Sequence, residues 1–426
     1  MISITTRVGP TGVQLRYGLT KLREHAPQIC WFARSMFLFA GCDALPGLRY
    51  QTEGVNQLPA NGLPLVVLGF RADAAMRQWA QRNNATIAMP GVELTRQTGD
   101  KTQLPALAAA AGVVSPRAVI ARQVDERAAD ALWHELGATR AVAQLAENNL
   151  TGTGTRLITD VADLRSCLRE WTGRAVKLAD YVKEGTPLTV SGVVLPHTVA
   201  VSGISYQLVG HPRLTPQWGA HCGNQLLADS ALPPGVATAC YEACRRIGEV
   251  LRENGFRGMF GLDMLATGNG VVVLEINPRV QSVTSLRNAA DLAAGMLPAP
   301  ALQALAFTTD QPLQLAPIHL PSPAYGQLVM YARTAGRVTA LPSEGTYELD
   351  RSCRRIGPTA PLGSLHTHQA LVWPLARTGS DVQDTGPLYV LQTPSPVADR
   401  TGELTSQALA WLAALDNLTR IRRSDL

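Results

Sequence analysis

Short apolar runs alternate with helix-length amphipathic stretches through the first hundred residues: MISITT and then 13–25, ICWFAR, PLVVLGF and then 72–83, and TIAMPG. Strands separated by helical segments in this way predict a small parallel α/β layer. Its first turn, from Gly9 to Gly12, sets glycines where a strand hands over to a helix, and a backbone-lined anion pocket or an ordinary tight turn fits it. Farther on, the pattern predicts a helix from Lys101 to Ala111 stopped by Gly112, a strand at 117–121 and a helix at 126–136. Residues 139–145 and 156–159 read as strands around a glycine-containing loop, 148–154. Such a loop can wrap phosphate oxygens with consecutive N–H groups; taken alone it is also a hairpin with a long turn.

Residues 174–210 are predominantly β by pattern, with strands at 175–178, 188–195, 198–202 and 206–209. A helix over 236–254 puts Cys240 and Cys244 on one face, where free cysteines pack as small apolar groups. From about 301, a proline-rich linker, strands at 326–332, 345–349, 370–374 and 388–391, and a helix at 404–415 predict a smaller α+β cap.

The most informative stretch is 255–279, where apolar runs at 259–265 and 271–276 flank a Gly/Asn turn and predict a hairpin. Side chains alternate along a strand, so Glu275 and Asn277 share one face and Asp263 lies almost opposite Glu275. Two carboxylates and a carboxamide oxygen on one face suit Mg²⁺, which keeps waters and takes nucleotide phosphates as its remaining ligands. The alternative is a hairpin whose charges merely face water.

Composition narrows the setting. With 426 residues, 46% hydrophobic and 17% charged, the chain has material for two or three domains, and general disorder is excluded. A net charge of +5 without a Lys/Arg run gives no ground for a nucleic-acid partner. Seven cysteines without a CxxC pair indicate neither a disulfide framework nor a zinc ribbon, and so a reducing compartment. No signal-like start and no spanning apolar stretch are seen, so a cytoplasmic protein without a membrane partner is expected. His366 and His368 share a strand face with no acidic or cysteine partner nearby in sequence, which argues against a metal role.

Several stretches together resemble the ATP-grasp superfamily across roughly residues 1–300: Asp100-Lys101 with the helix and AGVVSP beyond it, the glycine loop, KLADYVKEG at 177–185, and the Glu-x-Asn-x-Arg ending at Arg279. The resemblance implies an α/β and α+β architecture, an ATP-grasp fold with an N-terminal Rossmann-like pre-ATP-grasp domain (1–100), a nucleotide-binding core (101–300) and a small C-terminal α+β cap (301–426). By it, Lys101 looks like the lysine that touches nucleotide phosphate, although a solvated helix-start lysine reads the same in sequence. The loop Thr151, Gly152, Thr153, Gly154 and Thr155 resembles the lid over the β- and γ-phosphates, and backbone groups of Asp180, Tyr181 and Val182 the adenine linker. Asp263, Glu275 and Asn277 look like the Mg²⁺ ligands and Arg279 like the arginine facing an acyl phosphate, with Arg287 expected beside it.

The chain departs from the family pattern in two places. Gln144 stands where a second ATP lysine is usual, with Lys177 the candidate to supply the missing charge. Ala179 and the Thr186–Thr189 run replace the acidic residues that often recognise ribose. Ser205 and Gln207 share a strand face, where they line the nucleotide pocket or simply pack. Biotin carboxylases share Glu275, Asn277, Arg279 and Gln281 but place a glutamate base next where this chain has Val283, which argues against bicarbonate chemistry. D-alanine:D-alanine-type ligases need only the metal site, an arginine and an amino-acid pocket.

The tracts at 189–194 and 205–210 and the cap look similar to pheganomycin-type peptide ligases. The resemblance as a whole implies an ATP- and Mg²⁺-dependent carboxylate–amine ligase acting on a small-molecule carboxylate (amino acid or peptide) and an amine, with a homodimer among its expected assemblies. A thiol, hydroxyl or phosphate acceptor, or a non-catalytic nucleotide-binding regulator, is the alternative.

Overall fold

The computed structural model describes residues 2–4, 22–32, 36–40, 42, 45, 48–51, 62–147, 152, 154–311, 313–315, 324–399 and 401–423. The turn from Gly9 to Gly12 and most of the helix expected at 13–25 lie outside them.

The N-terminal part holds the expected parallel layer, with Leu48–Gln51, Gln28–Phe32, Leu65–Gly69 and Ala85–Ile87 adjacent in that order. Leu65–Gly69 is buried throughout, as suits a strand in a parallel sheet covered on both faces. The helix Ala74–Arg82 comes next, its first turn capped by the Asp73 carboxylate, which accepts the Met76 N–H at 2.7 Å. Between them, Phe70 and Arg71 sit at the carboxyl end of the strand.

A second, antiparallel sheet orders Ala118–Ala121, Val176–Asp180, Ala141–Leu145 and Thr155–Ile158. Leu132 and Leu136 from the helix Ala129–Leu136 and Leu164 and Leu168 from Val161–Glu170 close its core.

The third sheet has ten strands. Gly270–Asn277, Gly258–Thr267, Thr186–Val194, Val199–Val209 and His221–Leu226 form its first half, and Gly326–Tyr331, Pro387–Thr393, Gln369–Pro374, Gly345–Leu349 and Cys353–Gly357 its second. The expected cap strands are therefore a continuation of the central sheet, joined where Gly223 to Gln225 pair antiparallel with Gly326 to Leu328. The helix Val236–Glu253 covers one face of the first half, its Cys240, Cys244, Ile247 and Leu251 packed among Leu188, Val190, Ile204, Leu262 and Ile276. The two cysteines are buried, as the pattern expects, and none of the chain's seven is in a disulfide. The opposite face carries Thr189, Ser205, Gln207, Asp263 and Glu275.

Two corrections concern local structure. Residues 198–202 and 206–209 belong to one strand, Val199–Val209, and the expected linker start is the helix Ala299–Thr308. That helix ties the layers together: Gln303 donates to the Ala88 carbonyl at 2.7 Å and accepts from the Met259 N–H at 2.9 Å.

Candidate active site

The acid hairpin, Gly258–Thr267 and Gly270–Asn277, places Asp263 directly across from Glu275 in the ladder. Asp263 Oδ2 accepts from Asn277 Nδ2 at 2.9 Å, and Oδ1 accepts from Thr189 Oγ1 at 3.0 Å and Gln207 Nε2 at 3.4 Å. Ser205 donates to the Thr189 carbonyl at 3.4 Å, a packing role within the sheet. Burial first, then the charge of Glu275, pushes Asp263 up to about 6, against hydrogen bonds from Thr189 and Asn277 and the Arg279 charge. Two carboxylates that repel each other in a desolvated corner want a cation between them. Asp263, Glu275 and the Asn277 carboxamide oxygen offer hard oxygen donors of the kind Mg²⁺ takes. Among the described residues no cluster of three His, Cys, Asp or Glu side chains competes for that role.

Lys101 begins a short 3-10 turn ahead of the helix Leu104–Ala110 and is not solvated: its side chain is 3% exposed, and Nζ lies 3.1 Å from Glu275 Oε2. Lys177, 2% exposed, comes from the second sheet and donates to the Leu274 carbonyl at 3.4 Å. Burial lowers it to about 8, with Glu275 opposing and Lys101 adding to the fall. In the ladder Lys177 stands beside Gln144, which is paired in turn with Thr155 and donates to its hydroxyl at 3.4 Å. The charge missing at Gln144 is thus present one strand away.

Beyond Thr155, Gly154 accepts the Leu145 N–H at 2.9 Å, and Gly152 takes φ +73°. A Cβ at Gly152 would come within 2.9 Å of the Gly219 carbonyl, so Gly152 itself lies close against that backbone, where glycine fits best. Thr151 and Thr153 lie outside the described residues. In the linker, the N–H groups of Asp180 and Tyr181 are committed to the carbonyls of Arg117 and Arg140, at 2.9 and 3.3 Å. Arg117 also pairs with the Asp180 carboxylate at 3.1 Å, and the Arg140 guanidinium lies over the Tyr181 ring at 4.7 Å. Those two amides are therefore not donors for a base. Val182 stands at the end of the segment, where the chain leaves the second sheet.

Arg279 donates to Asn277 Oδ1 at 3.0 Å and to the Val280 carbonyl at 3.2 Å, while its buried Nε has no acceptor. Burial first, then the charge of Arg71, pushes it down to about 10, against Glu275 and Asp263. Arg287 corrects the expectation of a second oxyanion arginine. Its side chain is 3% exposed and paired with Asp291 at 3.2 Å, and its guanidinium fills the space over Gly203, where a Cβ would come within 2.5 Å. It braces the sheet.

Sequence reasoning missed two groups near this corner. His221 Nε2 lies 2.6 Å from Asn224 Oδ1 and 3.2 Å from Ser282 Oγ, and burial lowers its pKa, which keeps it neutral. The strand HCGNQL has no apolar alternation to announce it. Phe70 reaches Arg279 from the N-terminal layer, its ring 5.0 Å from the guanidinium carbon, and no local pattern foretells a contact across that span. His366 and His368 do not share a strand face: they lie in the turn ahead of Gln369–Pro374, where their rings stack at 5.9 Å, and His368 lies 3.6 Å from Glu348, which is already held by Arg354.

Residues 140–283 match a family model described as an ATP-grasp domain. No curated protein sequence matches the chain. Among solved structures it is similar to phosphoribosylamine–glycine ligase from Thermotoga maritima, with 12% identity over 93% of this chain and 97% of that one and a TM-score of 0.58. It is also similar to L-amino acid ligase from Bacillus licheniformis (11% identity, 93% and 99%, TM-score 0.57). A third is the biotin carboxylase complex with β,γ-ATP from Campylobacter jejuni (13% identity, 99% and 91%, TM-score 0.55). At these identities the likeness establishes the fold, the ATP-grasp fold. No helix among the described residues is long and apolar enough to cross a membrane.

Proposed function

We propose that this chain, built on the ATP-grasp fold, is an ATP-dependent carboxylate–amine ligase that forms an amide through an acyl phosphate and releases ADP and phosphate. The observation that carries the reading is the meeting of buried Lys101 and Lys177 with the Asp263–Glu275 pair between the second sheet and the acid hairpin. Two ammonium groups and two carboxylates are costly to desolvate in a folded interior, and a polyanion with its divalent cation gives each sign a partner. The family match and the ligases among similar structures support the same reading.

Asp263, Glu275 and Asn277 would hold Mg²⁺, which supplies neutralising charge at the nucleotide phosphates. Lys101 and Lys177 pair with phosphate oxygens, and the loop at Gly152 closes over them to exclude water. A carboxylate oxygen of the acid attacks the γ-phosphorus, the bond to the ADP oxygen breaks, and ADP leaves with the electron pair. Arg279 holds the activated carbonyl and stabilises the oxyanion as the amine attacks. The new C–N bond forms, the C–O bond to phosphate breaks, and the amine gives up its proton. We take the acid and amine to be amino acids or peptides, in keeping with the resemblance to pheganomycin-type ligases.

Incubation with MgATP, individual acids and individual amines tests this. ADP release that needs both acid and amine is expected, and Asp263→Asn should abolish it. ADP release that is independent of the acid, or that survives Asp263→Asn, would sink the proposal.

A further inference from the structure

We propose that Arg71 and Phe70 of the N-terminal layer complete, with Arg279, the subsite that holds the carboxylate of the acid, so that the acid is bound between two domains. The inference rests on the ligase reading and adds the residues that select and orient its first substrate.

Topology puts the pair where a ligand is expected. Gln28–Phe32 has Leu48–Gln51 on one side and Leu65–Gly69 on the other, so the chain leaves the middle strand in one direction and returns on the other side. In open parallel sheets the crevice opens outside the carboxyl ends of such strands. Phe70 and Arg71 are the first residues beyond that end.

Geometry then ties them to the reacting corner. The Arg71 guanidinium carbon lies 5.6 Å from the centre of the Phe70 ring and that of Arg279 lies 5.0 Å from the same centre. An aromatic face fixes a planar guanidinium in an orientation from which its N–H edge can fork onto a carboxylate.

Arg279 shows why an anion belongs there. Its two hydrogen bonds go to neutral oxygens, those of Asn277 and Val280, and its buried Nε has no acceptor. The charges of Glu275 and Asp263 reach this guanidinium and that of Arg71 opposes it, but the buried Nε donor stays unfilled, and an anionic oxygen would fill it. Because Asn277 joins Arg279 to Asp263, an anion seated on Arg279 lies beside the metal pair, where a carboxylate must be to meet a γ-phosphate. Arg71 is exposed and Phe70 half-buried, so the subsite is open to an incoming acid.

The test compares the full-length wild type with Arg71→Gln, Arg71→Lys and Phe70→Leu. ADP release is followed with MgATP, hydroxylamine as the amine, and the proteinogenic L-amino acids and their N-acetyl derivatives offered one at a time. Arg71→Gln should raise KM for the best acid about tenfold or more while KM for ATP moves less than about twofold. Arg71→Lys should recover part of that loss, and Phe70→Leu should raise the acid KM by less than Arg71→Gln. An unchanged acid KM in Arg71→Gln overturns the proposal, and so does an equal rise in both KM values, which would assign Arg71 to the nucleotide phosphates.

A second arm needs no turnover. Acetate should raise the melting temperature of the wild type and fail to do so in Arg71→Gln. An equal response in both proteins, or a response to inorganic phosphate alone, overturns the carboxylate subsite. Failure of every acid to release ADP from the wild type would instead remove the ligase reading, and the acetate arm would still decide the role of Arg71.

Discussion

Charge is arranged in opposite ways on the second sheet and at the acid hairpin. The outer surface of the second sheet and its helices is laced with ion pairs, among them Arg165–Asp130, Arg169–Glu126 and Arg174–Glu147, whose side chains are well exposed. Water screens such pairs and holding two long side chains still costs entropy, so they do little for the fold. At the hairpin, Lys101 and Glu275 meet with 3% and 17% of their side chains exposed, and Lys177 and Asp263 are close by. Desolvating those groups costs more than their attraction returns, and a buried apolar cluster would serve stability better. Stability thus favours neither set: the exposed pairs contribute little, and the cost of the buried groups is what the proposed binding of nucleotide and metal would account for.

Removing one partner of the buried pair should separate the two kinds most sharply. Glu275→Gln leaves Lys101 charged and uncompensated, which is expected to cost about 3–5 kcal/mol in urea unfolding and to lower acid- and amine-dependent ADP release about a thousandfold or more. The double variant Lys101→Met/Glu275→Gln should recover most of the stability and none of the activity. Recovery of both, or loss of activity without loss of stability in Glu275→Gln, would place the pair among the exposed ones in kind.

Lys177 gives the next effect. In the native state burial holds it near 8, below its ordinary 10.5, so between those values the unfolded chain binds more protons and stability rises with pH. The cost of burying the ammonium is therefore fully present below pH 8 and fades toward pH 10.5. Lys177→Met should be more stable than the wild type at pH 7, by an amount on the order of 3 kcal/mol, with the advantage shrinking as pH climbs. The same variant should bind ATP about tenfold or more weakly at pH 7, and wild-type affinity should itself weaken above pH 8 as the lysine loses its proton. A variant less stable at pH 7 with ATP affinity intact would make Lys177 a structural residue.

The same contrast explains what could be read from the chain. Asp263, Glu275 and Asn277 come together on the hairpin because period-2 alternation and a Gly/Asn turn specify it locally, whereas Lys101 and Lys177 come from other elements and were expected only from the family resemblance. The long helix Val236–Glu253 is equally legible from its amphipathic repeat. What escaped depends on contacts far apart in sequence. Residues 198–202 and 206–209 read as separate strands; in the fold Gly203 lies inside the single strand Val199–Val209, making room for Arg287, which is paired there with Asp291. The segment from about 301 reads as a linker, yet it belongs to the helix Ala299–Thr308, whose first turn tolerates Pro300. The meeting of Phe70 with Arg279 joins the N-terminal parallel layer to the end of the acid hairpin, and nothing near either residue announces it.

The smallest effect is expected at the exposed pairs, and it bears on the comparison as directly as the largest. Arg169 Nε lies 2.6 Å from Glu126 Oε2, a distance that by itself suggests strength. Both side chains are largely in water, where a good distance adds little because each partner is hydrated as well without the other. A double-mutant cycle on Arg169→Ala and Glu126→Ala should return a coupling of roughly 0.2–1 kcal/mol at low salt, falling toward zero at about 1 M salt, with ADP release unchanged in all three variants. A coupling of about 2 kcal/mol that persisted in salt would show that exposure alone does not divide the two kinds of charge, and the buried lysines and carboxylates would lose the contrast that marks them as functional.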